Sequence, residues 1–409
     1  MKHYLPAYIE LFTKMCSAIF ILMLGKLLFD HTGSLWAFAT AFGSEFLIVS
    51  GMQYFASKAS DTFSPIKILL LCSLFSISTF TLFVFTYEYD PTMTLFFGAL
   101  TIFVSRPFYR SALYVFVRNS IEKKHHARVN SRISAGSQLG HIIGLSFTGF
   151  VLAIYSEIYL FELITAIFVL CFILIKWADI DSDLQSEKEY DNKNINTSWG
   201  EFYCYCLSNK AFSVRLLSSF SIAVSLGAFY VLLTPTVSAK FGGDSSWQSI
   251  LGTSYALGVI SGGVLSKFYQ QQVQRISSDS IMYVNQITAA VVFFCYGYFE
   301  SLIAMPLLLL CFGITSSLST VRLSMFLQHY VTEDIAGRTS AIQNVMLAFG
   351  NVVIAYFVAY LHDISFQYAA IGVACLSFLM VILNAVVYSF YPIITSDNKS
   401  ELVASEKNE

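Results

Sequence analysis

From the first residue onward the chain is a succession of long apolar runs divided by short polar breaks. The runs lack the two-residue alternation of a half-buried strand, so helices are predicted throughout. A helix that crosses a hydrocarbon core takes roughly 20 mostly apolar residues. By that measure the first half holds spans at Tyr8–Phe29, Leu35–Phe55, Ile66–Tyr87, Met93–Val117, Val129–Ile154 and Ile158–Trp177. The second half holds spans at Val214–Val237, Trp247–Phe268, Ile281–Phe299, Ser301–Leu327, Thr339–Leu361 and Phe366–Tyr391. The pattern predicts an all-α membrane protein of twelve transmembrane helices in two six-helix bundles. A membrane β-barrel is excluded, because its strands alternate apolar and polar positions.

The longest polar break, DIDSDLQSEKEYDNKNINTS, lies between the halves, and the aromatic-rich WGEFYCYCLSNKAF follows it. The first reads as a flexible linker and the second as a segment lying in the membrane interface. The expected organisation is a first bundle over 1–178, a cytoplasmic linker with its interfacial segment over 179–211, a second bundle over 212–397 and a disordered tail over 398–409. The first apolar run has no small-residue cleavage site after it, so the first helix is expected to be retained.

Composition narrows the solvent: of 409 residues 56% are hydrophobic and only 12% charged, about half the charged fraction usual in a soluble domain. The net charge of -2, with no basic domain or tail, gives no reason to expect nucleic acid. Most cysteines sit inside apolar runs, where a thiol behaves as a small hydrophobe. Cys204 and Cys206 form a C-x-C, but no second pair stands at zinc-ligand spacing, so no metal and no cofactor is expected.

The distribution of Lys and Arg sets the orientation. With the N-terminus inside, the inner loops hold Lys58, Lys67, Arg118, Lys123, Lys124, Arg128, Arg132, Lys188, Lys193, Lys210, Lys267, Arg275 and Arg338, whereas the outer loops hold Lys240. That asymmetry predicts that both termini are cytoplasmic in an inner membrane. The halves also repeat weakly: IEKKHHAR (Ile121–Arg128) and VTEDIAGR (Val331–Arg338) occupy equivalent loops, and at the same offset of 210 residues Gly140 meets Gly350. Parallel repeats about an axis along the membrane normal describe one large class of transporters. Gly136, Gly140 and Gly144 form a small-residue face on the fifth helix, suited either to a static seam or to a rocking interface.

An ionisable group at mid-bilayer costs roughly 2.5–3.5 kcal/mol on the lenient insertion scale. Glu45 lies near the centre of the second span, Arg106 near the centre of the fourth, and Arg110 one turn farther on the same face. A structural Glu45–Arg106 ion pair is one reading, and a functional cluster is the other. Lys14 stands one turn after Glu10, placed either to pair with it or to contact substrate. Lys26 and Asp30 are a second four-residue pair near the outer surface. Arg215 and Arg322 are expected to snorkel or anchor loops at the inner margin. If protons drive movement, Glu45 is the simplest carrier, because burial favours the neutral carboxyl and a neighbouring arginine favours the carboxylate.

Several segments resemble the major facilitator superfamily, and within it the bacterial macrolide-efflux and enterobactin-type exporters. SKASDTFSPIKILL is similar to the pattern G-x-L-A-D-R-x-G-R-R-K, with Asp61 and Lys67 matching and Ser57, Thr62, Pro65 and Ile66 differing. Pro107, Ala127, Arg128 and Asn130 occupy the positions typical of the fourth helix and the loop ending in A-R-x-N. GHIIGLSFTGF is similar to the antiporter pattern G-x-x-x-G-P-x-x-G-G through Gly140, Gly144 and Gly149, with Leu145 and Thr148 differing. VTEDIAGRTSA retains Gly337 and Arg338 of the second-half loop.

The resemblance implies a monomeric secondary transporter that works by alternating access. It implies that Asp61, Lys67, Arg128, Gly140, Gly144, Gly337 and Arg338 act in gating, partly as a charge latch. It also implies that the first and fourth helices line the central cavity. Substrate is then expected at Arg106, Arg110 and Lys14, and the coupling proton at Glu45. The leading expectation is proton-coupled efflux of a small organic molecule, siderophore-like or drug-like, with bilayer and protons as the other partners. An importer or lipid-moving facilitator, and a non-transporting scaffold or sensor, are the rival readings. No catalytic motif such as HExxH or G-x-S-x-G is present, so an enzyme is not expected.

Overall fold

In the computed structural model the described residues are 4–121, 123–183, 199–268, 278–299, 301–330 and 336–391. The expected loop residues 331–335, most of the linker (184–198) and the tail from 398 lie outside this set.

The first half contains α1 (Leu5–Thr32), α2 (Leu35–Thr62), α3 (Pro65–Thr86), α4 (Pro91–Ser120), α5 (Lys123–Ile154) and α6 (Ile158–Asp183). Two short helices follow, α7 (Trp199–Ser208) and α8 (Lys210–Leu217). The second half contains α9 (Ser219–Phe241), α10 (Ser245–Phe268), α11 (Ser278–Tyr298), α12 (Ala304–Tyr330), α13 (Ala336–Ile364) and α14 (Phe366–Phe390). The twelve long helices coincide with the twelve predicted runs, most of them extended at one end or both. The main departure is at the start of the seventh run, where the chain turns at Ser218 and sets α8 apart from α9.

Local chemistry explains the boundaries. Ser34, Asp90 and Ser365 cap α2, α4 and α14 by accepting a backbone N–H in the first turn. Pro65 and Pro91 open α3 and α4, where a missing N–H costs nothing. Gly33 ends α1 at φ 64, a left-handed cap that favours glycine.

The packing repeats between the halves. In the first, α1 lies against α5, α2 against α4, and α3 against α4 and α6; in the second, α9 lies against α13, α10 against α12, and α11 against α12 and α14. The halves meet through two equivalent pairs, α5 with α10 and α13 with α2. One apolar core runs through both, including Phe20, Phe80, Phe103 and Phe161 of the first half and Phe229, Phe293 and Phe312 of the second. Leu71, Leu82, Phe97, Ile173, Val291, Leu379 and Leu383 point outward and are exposed. Such a surface suits acyl chains, with every backbone group satisfied inside its own helix. Exposed Tyr89, Tyr155, Tyr159 and Tyr298 gather where α1 gives way to α2, called here the far end. Tyr4, Tyr54, Trp177 and Tyr203 gather at the near end, where α1 begins. These are the two aromatic belts of a multi-pass membrane protein.

The glycine face of α5 lies inside the first bundle, against α1. A Cβ at Gly140 would overlap the carbonyl oxygen of Leu11, and one at Gly136 that of Ala7. Gly350, 210 residues after Gly140, meets α9 in the same way at Phe220 and Ala223. The glycine face thus forms a close contact between α1 and α5 within the first bundle.

Candidate functional site

Ionisable side chains from α1, α2 and α4 converge in the near half of the first bundle. The Arg106 guanidinium on α4 donates to the Glu45 carboxylate on α2, and the pair is close and short. Glu45 is 6% exposed in this pair and Arg106 26%, so the arginine keeps a face toward open volume. The ion-pair reading of these two residues is thus realised geometrically, and Glu45 does not stand alone.

Glu10 does not pair with Lys14 as the four-residue spacing suggests. Its carboxylate is buried and accepts a hydrogen bond of 3.0 Å from the hydroxyl of Tyr109, on α4. Lys14 is left without a hydrogen bond or ion pair among the described residues, while Glu10, Arg110 and Arg106 all exert electrostatic force on it.

Around these groups is a cavity of about 540 Å³ of empty volume, its open mouth included. Its walls are Glu10, Thr13, Lys14 and Ser17 of α1, Cys72, Ser73 and Ser76 of α3, Ile102, Ser105, Arg106, Tyr109 and Arg110 of α4, and Phe168 of α6. Lys14, Arg106 and Arg110, the three expected substrate contacts, all line it. With Glu10 and Glu45 ionised and Lys14 protonated, the group carries one positive charge in excess. A low-dielectric wall strengthens the field of that charge compared with water.

Two further contacts carry the cluster across to the second half. Arg110 donates through Nη1 to Oδ1 of Asn344, on α13, at 2.5 Å. His141, on α5, is hydrogen-bonded through Nε2 to the hydroxyl of Tyr230 on α9, with the rings edge to face at 5.9 Å. Neither partner was legible as such. His141 was visible as an ionisable residue inside an apolar run, but Asn344 and Tyr230 are ordinary helix residues until the topology places them.

Other cross-half contacts lie farther out. Ser249 and Thr253 of α10 bond to Ser146 of α5 at 3.1 Å and 2.8 Å. At the far end the Trp36 indole donates to Asp363 at 2.6 Å, and Phe29 meets His362 edge to face. Tyr356 covers Gly43, where a Cβ would displace the ring.

The expected gating residues are spread along the near end. Asp61 is in the last turn of α2, Arg128 in α5 and Gly337 at the start of α13, but their side chains lie outside the described set. Lys67 is exposed in the first turn of α3. Arg338 is half-buried at the start of α13.

In the second half, Arg215 follows the anchoring reading and not the snorkelling one. Arg215 does not snorkel: it is 1% exposed and grips Asp279 with two bonds of 3.0 Å and 2.6 Å. It also donates to the carbonyls of Ala211 and Tyr391 and lies over the Tyr388 ring at 4.7 Å. The physical reason is that α8 packs against α12, α13 and α14, where burial requires a full set of partners for the charge. Arg322 is half-buried on α12. Lys26 and Asp30 form the expected pair at 2.7 Å.

A profile of the Major Facilitator Superfamily matches residues 9–355. No curated protein matches the chain by sequence. Among solved structures it is similar to a point mutant of the nucleoside transporter NupG, with TM-score 0.72 and 12% identity over 95% of this chain and 100% of that one. It is also similar to a bacterial homologue of the human lysosomal transporter Spinster, inward-facing and unoccupied, with TM-score 0.72 and 11% identity over 95% of this chain and 96% of the other. At such identities the likeness is one of fold.

Proposed function

The chain belongs to the Major Facilitator Superfamily, and on that premise we propose that it exports a small organic anion across the bacterial inner membrane in exchange for protons. The observation that carries the choice of cargo is the cluster of Lys14, Arg106 and Arg110 around one cavity, answered by Glu10 and Glu45 alone. A carboxylate- or catechol-bearing, siderophore-like molecule suits an excess positive charge, and arginine's planar fork suits a carboxylate. A lipophilic cation does not. Outward direction rests on the segments similar to the exporter branch, and cytoplasmic termini on the Lys and Arg asymmetry of the loops. The carrier acts as a monomer. The similar folds transport a nucleoside in one case and carry the Spinster name in the other, and neither supplies a substrate here.

Glu45 is the proposed proton carrier, with Arg106 as its counter-charge. The anion acts on this ion pair through Arg106 and the proton acts on it through Glu45, so the shared pair links the two movements. Asp61, Lys67, Arg128, Gly337 and Arg338 serve as the near-end latch, and Gly140 and Gly144 keep α5 rigid against α1 so that the bundle moves as one body.

The test is transport by purified protein in liposomes under an imposed pH gradient. Wild type should move organic anions uphill, Glu45→Gln should keep binding but lose the dependence on the gradient, and Arg106→Lys should transport less well, with Arg106→Ala weaker still. The reading fails if permanent cations are the best substrates and their transport improves when Arg106 is removed. Topology reporters after Lys124, after Ser186 and at the C-terminus should all register cytoplasm, and a periplasmic signal at Ser186 would overturn the orientation.

A further inference from the structure

The two arginines of α4 are neutralised differently. Arg106 is answered by a carboxylate of its own half, Glu45. Arg110, exposed within the molecule and lining the cavity, is held by an uncharged amide oxygen from the opposite half. A guanidinium has five N–H donors, and this contact engages Nη1. A carboxylate partner makes a charge-assisted bond roughly twice as strong as a neutral one. The amide is therefore the weaker of two possible occupants of the same fork.

Its location gives the exchange a mechanical consequence. Asn344 lies two turns into α13, the helix that packs against α9 of its own half and against α2 of the other. Of the cross-half hydrogen bonds named above, those of Trp36 and Ser146 lie toward the far end, and that of His141 lies midway along α5. The Arg110–Asn344 bond is nearest the near end.

We propose that Asn344 is a stand-in ligand: its amide oxygen occupies Arg110 while the site is empty, and the carboxylate of an organic anion displaces it. Displacement removes the near-end tie between α4 and α13. The empty carrier is thereby held in the state seen here, and the loaded carrier is released to change state. Asn344 sets specificity as well, because a neutral ligand cannot outcompete an amide for the guanidinium. The proposal rests on the reading of the cavity as an anion site.

Calorimetric titration of the purified full chain with salicylate and citrate tests it. Asn344→Ala removes the competitor and should tighten anion binding by about fivefold, whereas Asn344→Asp installs a carboxylate that stays on Arg110 and should weaken it by about tenfold or more. Opposite signs from two small substitutions at one position are not produced by a merely structural residue. If either variant fails to fold, Asn344→Ser, too short to reach Arg110, should behave as Asn344→Ala. Unchanged or weakened binding in Asn344→Ala, while Arg110→Ala abolishes binding, overturns the proposal and leaves the anion site standing. Failure of wild type to bind either anion overturns the anion site itself, and the proposal with it.

Discussion

The two bundles share a plan and differ in what they put at equivalent places. Between α1, α3, α4 and α6 the first bundle has charged groups and empty volume. The corresponding helices of the second, α9, α11, α12 and α14, fill that region with uncharged side chains bonded to one another. Ser225 donates to Gln286 at 2.8 Å, Gln286 donates to the Ser221 carbonyl at 2.8 Å, and Asn384 and Thr315 reach Ser221 and Asn285 at 3.3 Å. Paired neutral groups of this kind rigidify a core, although the amide nitrogen of Asn285 has no partner among the described residues. An excess of charge beside a cavity has unmet interaction capacity that a ligand can use. The second bundle's strong ion pair, Arg215–Asp279, is shut away at the near end with all its partners in place. One bundle thus has the features of a binding body, and the other those of a rigid counterpart against which it moves.

The largest effect that would test this division is expected at that closed pair. Asp279→Ala leaves Arg215, 1% exposed, without a counter-charge, and breaking a buried pair in this way costs about 4 kcal/mol. Thermal unfolding in detergent should show the loss, while the surviving folded fraction should bind anions with wild-type affinity. A large affinity change would mean that the second bundle is no passive counterpart. Glu45→Ala should cost less, about 2 kcal/mol, because Arg106 retains access to the cavity and to water within it. Its functional effect should be the greater of the two. If Glu45→Ala destabilises more than Asp279→Ala, the charged cavity is drier and more rigid than its exposure indicates.

How far sequence led can be judged at particular residues. The twelve helices followed from run length, because membrane helices satisfy their backbone locally and their signal is local, whereas the caps at Ser34, Asp90 and Ser365 and the prolines at helix starts emerged with the structure. Arg106, Arg110 and Lys14 were recognisable as costly charges in apolar runs, and the structure does gather them. Partners were the part that local spacing could not supply. Glu10 has Lys14 four residues away and bonds instead to Tyr109, 99 positions along the chain. Asn344 is 234 positions from Arg110, and Tyr230 is 89 from His141. Arg215 shows the same limit: a charge near a span end fits snorkelling or anchoring alike until Asp279 and the Tyr391 carbonyl are seen around it.

A smaller effect is expected in the neutral network. Gln286→Leu removes two hydrogen bonds, one to Ser225 and one to the Ser221 carbonyl, and keeps similar volume. The stability cost should be about 1–2 kcal/mol, with transport of anions reduced no more than twofold at equal amounts of folded protein. Should Gln286→Leu abolish transport without unfolding the protein, the polar network of α9, α11 and α14 would itself be part of the substrate path, and the contrast between bundles would have to be redrawn.

The smallest effect should come from one oxygen atom at the cavity wall. Tyr109→Phe deletes the hydroxyl that holds Glu10 and changes nothing else in the shape of α4. The freed carboxylate then has Lys14 one helical turn away, and the four-residue pair that the spacing favours can form. The lost bond and the gained pair nearly offset, so stability should fall by less than about 1 kcal/mol. Anion binding should nevertheless weaken by about threefold, because Lys14 would be engaged with Glu10 and no longer present its charge to the cavity. Salicylate titration of Tyr109→Phe beside Tyr109→Phe with Glu10→Gln separates the two causes: if Glu10 captures Lys14, the second substitution should restore affinity to wild type or above. Unrestored affinity would show that the Tyr109 hydroxyl itself contacts the anion, and Tyr109 would then join Lys14, Arg106 and Arg110 as a ligand of the site.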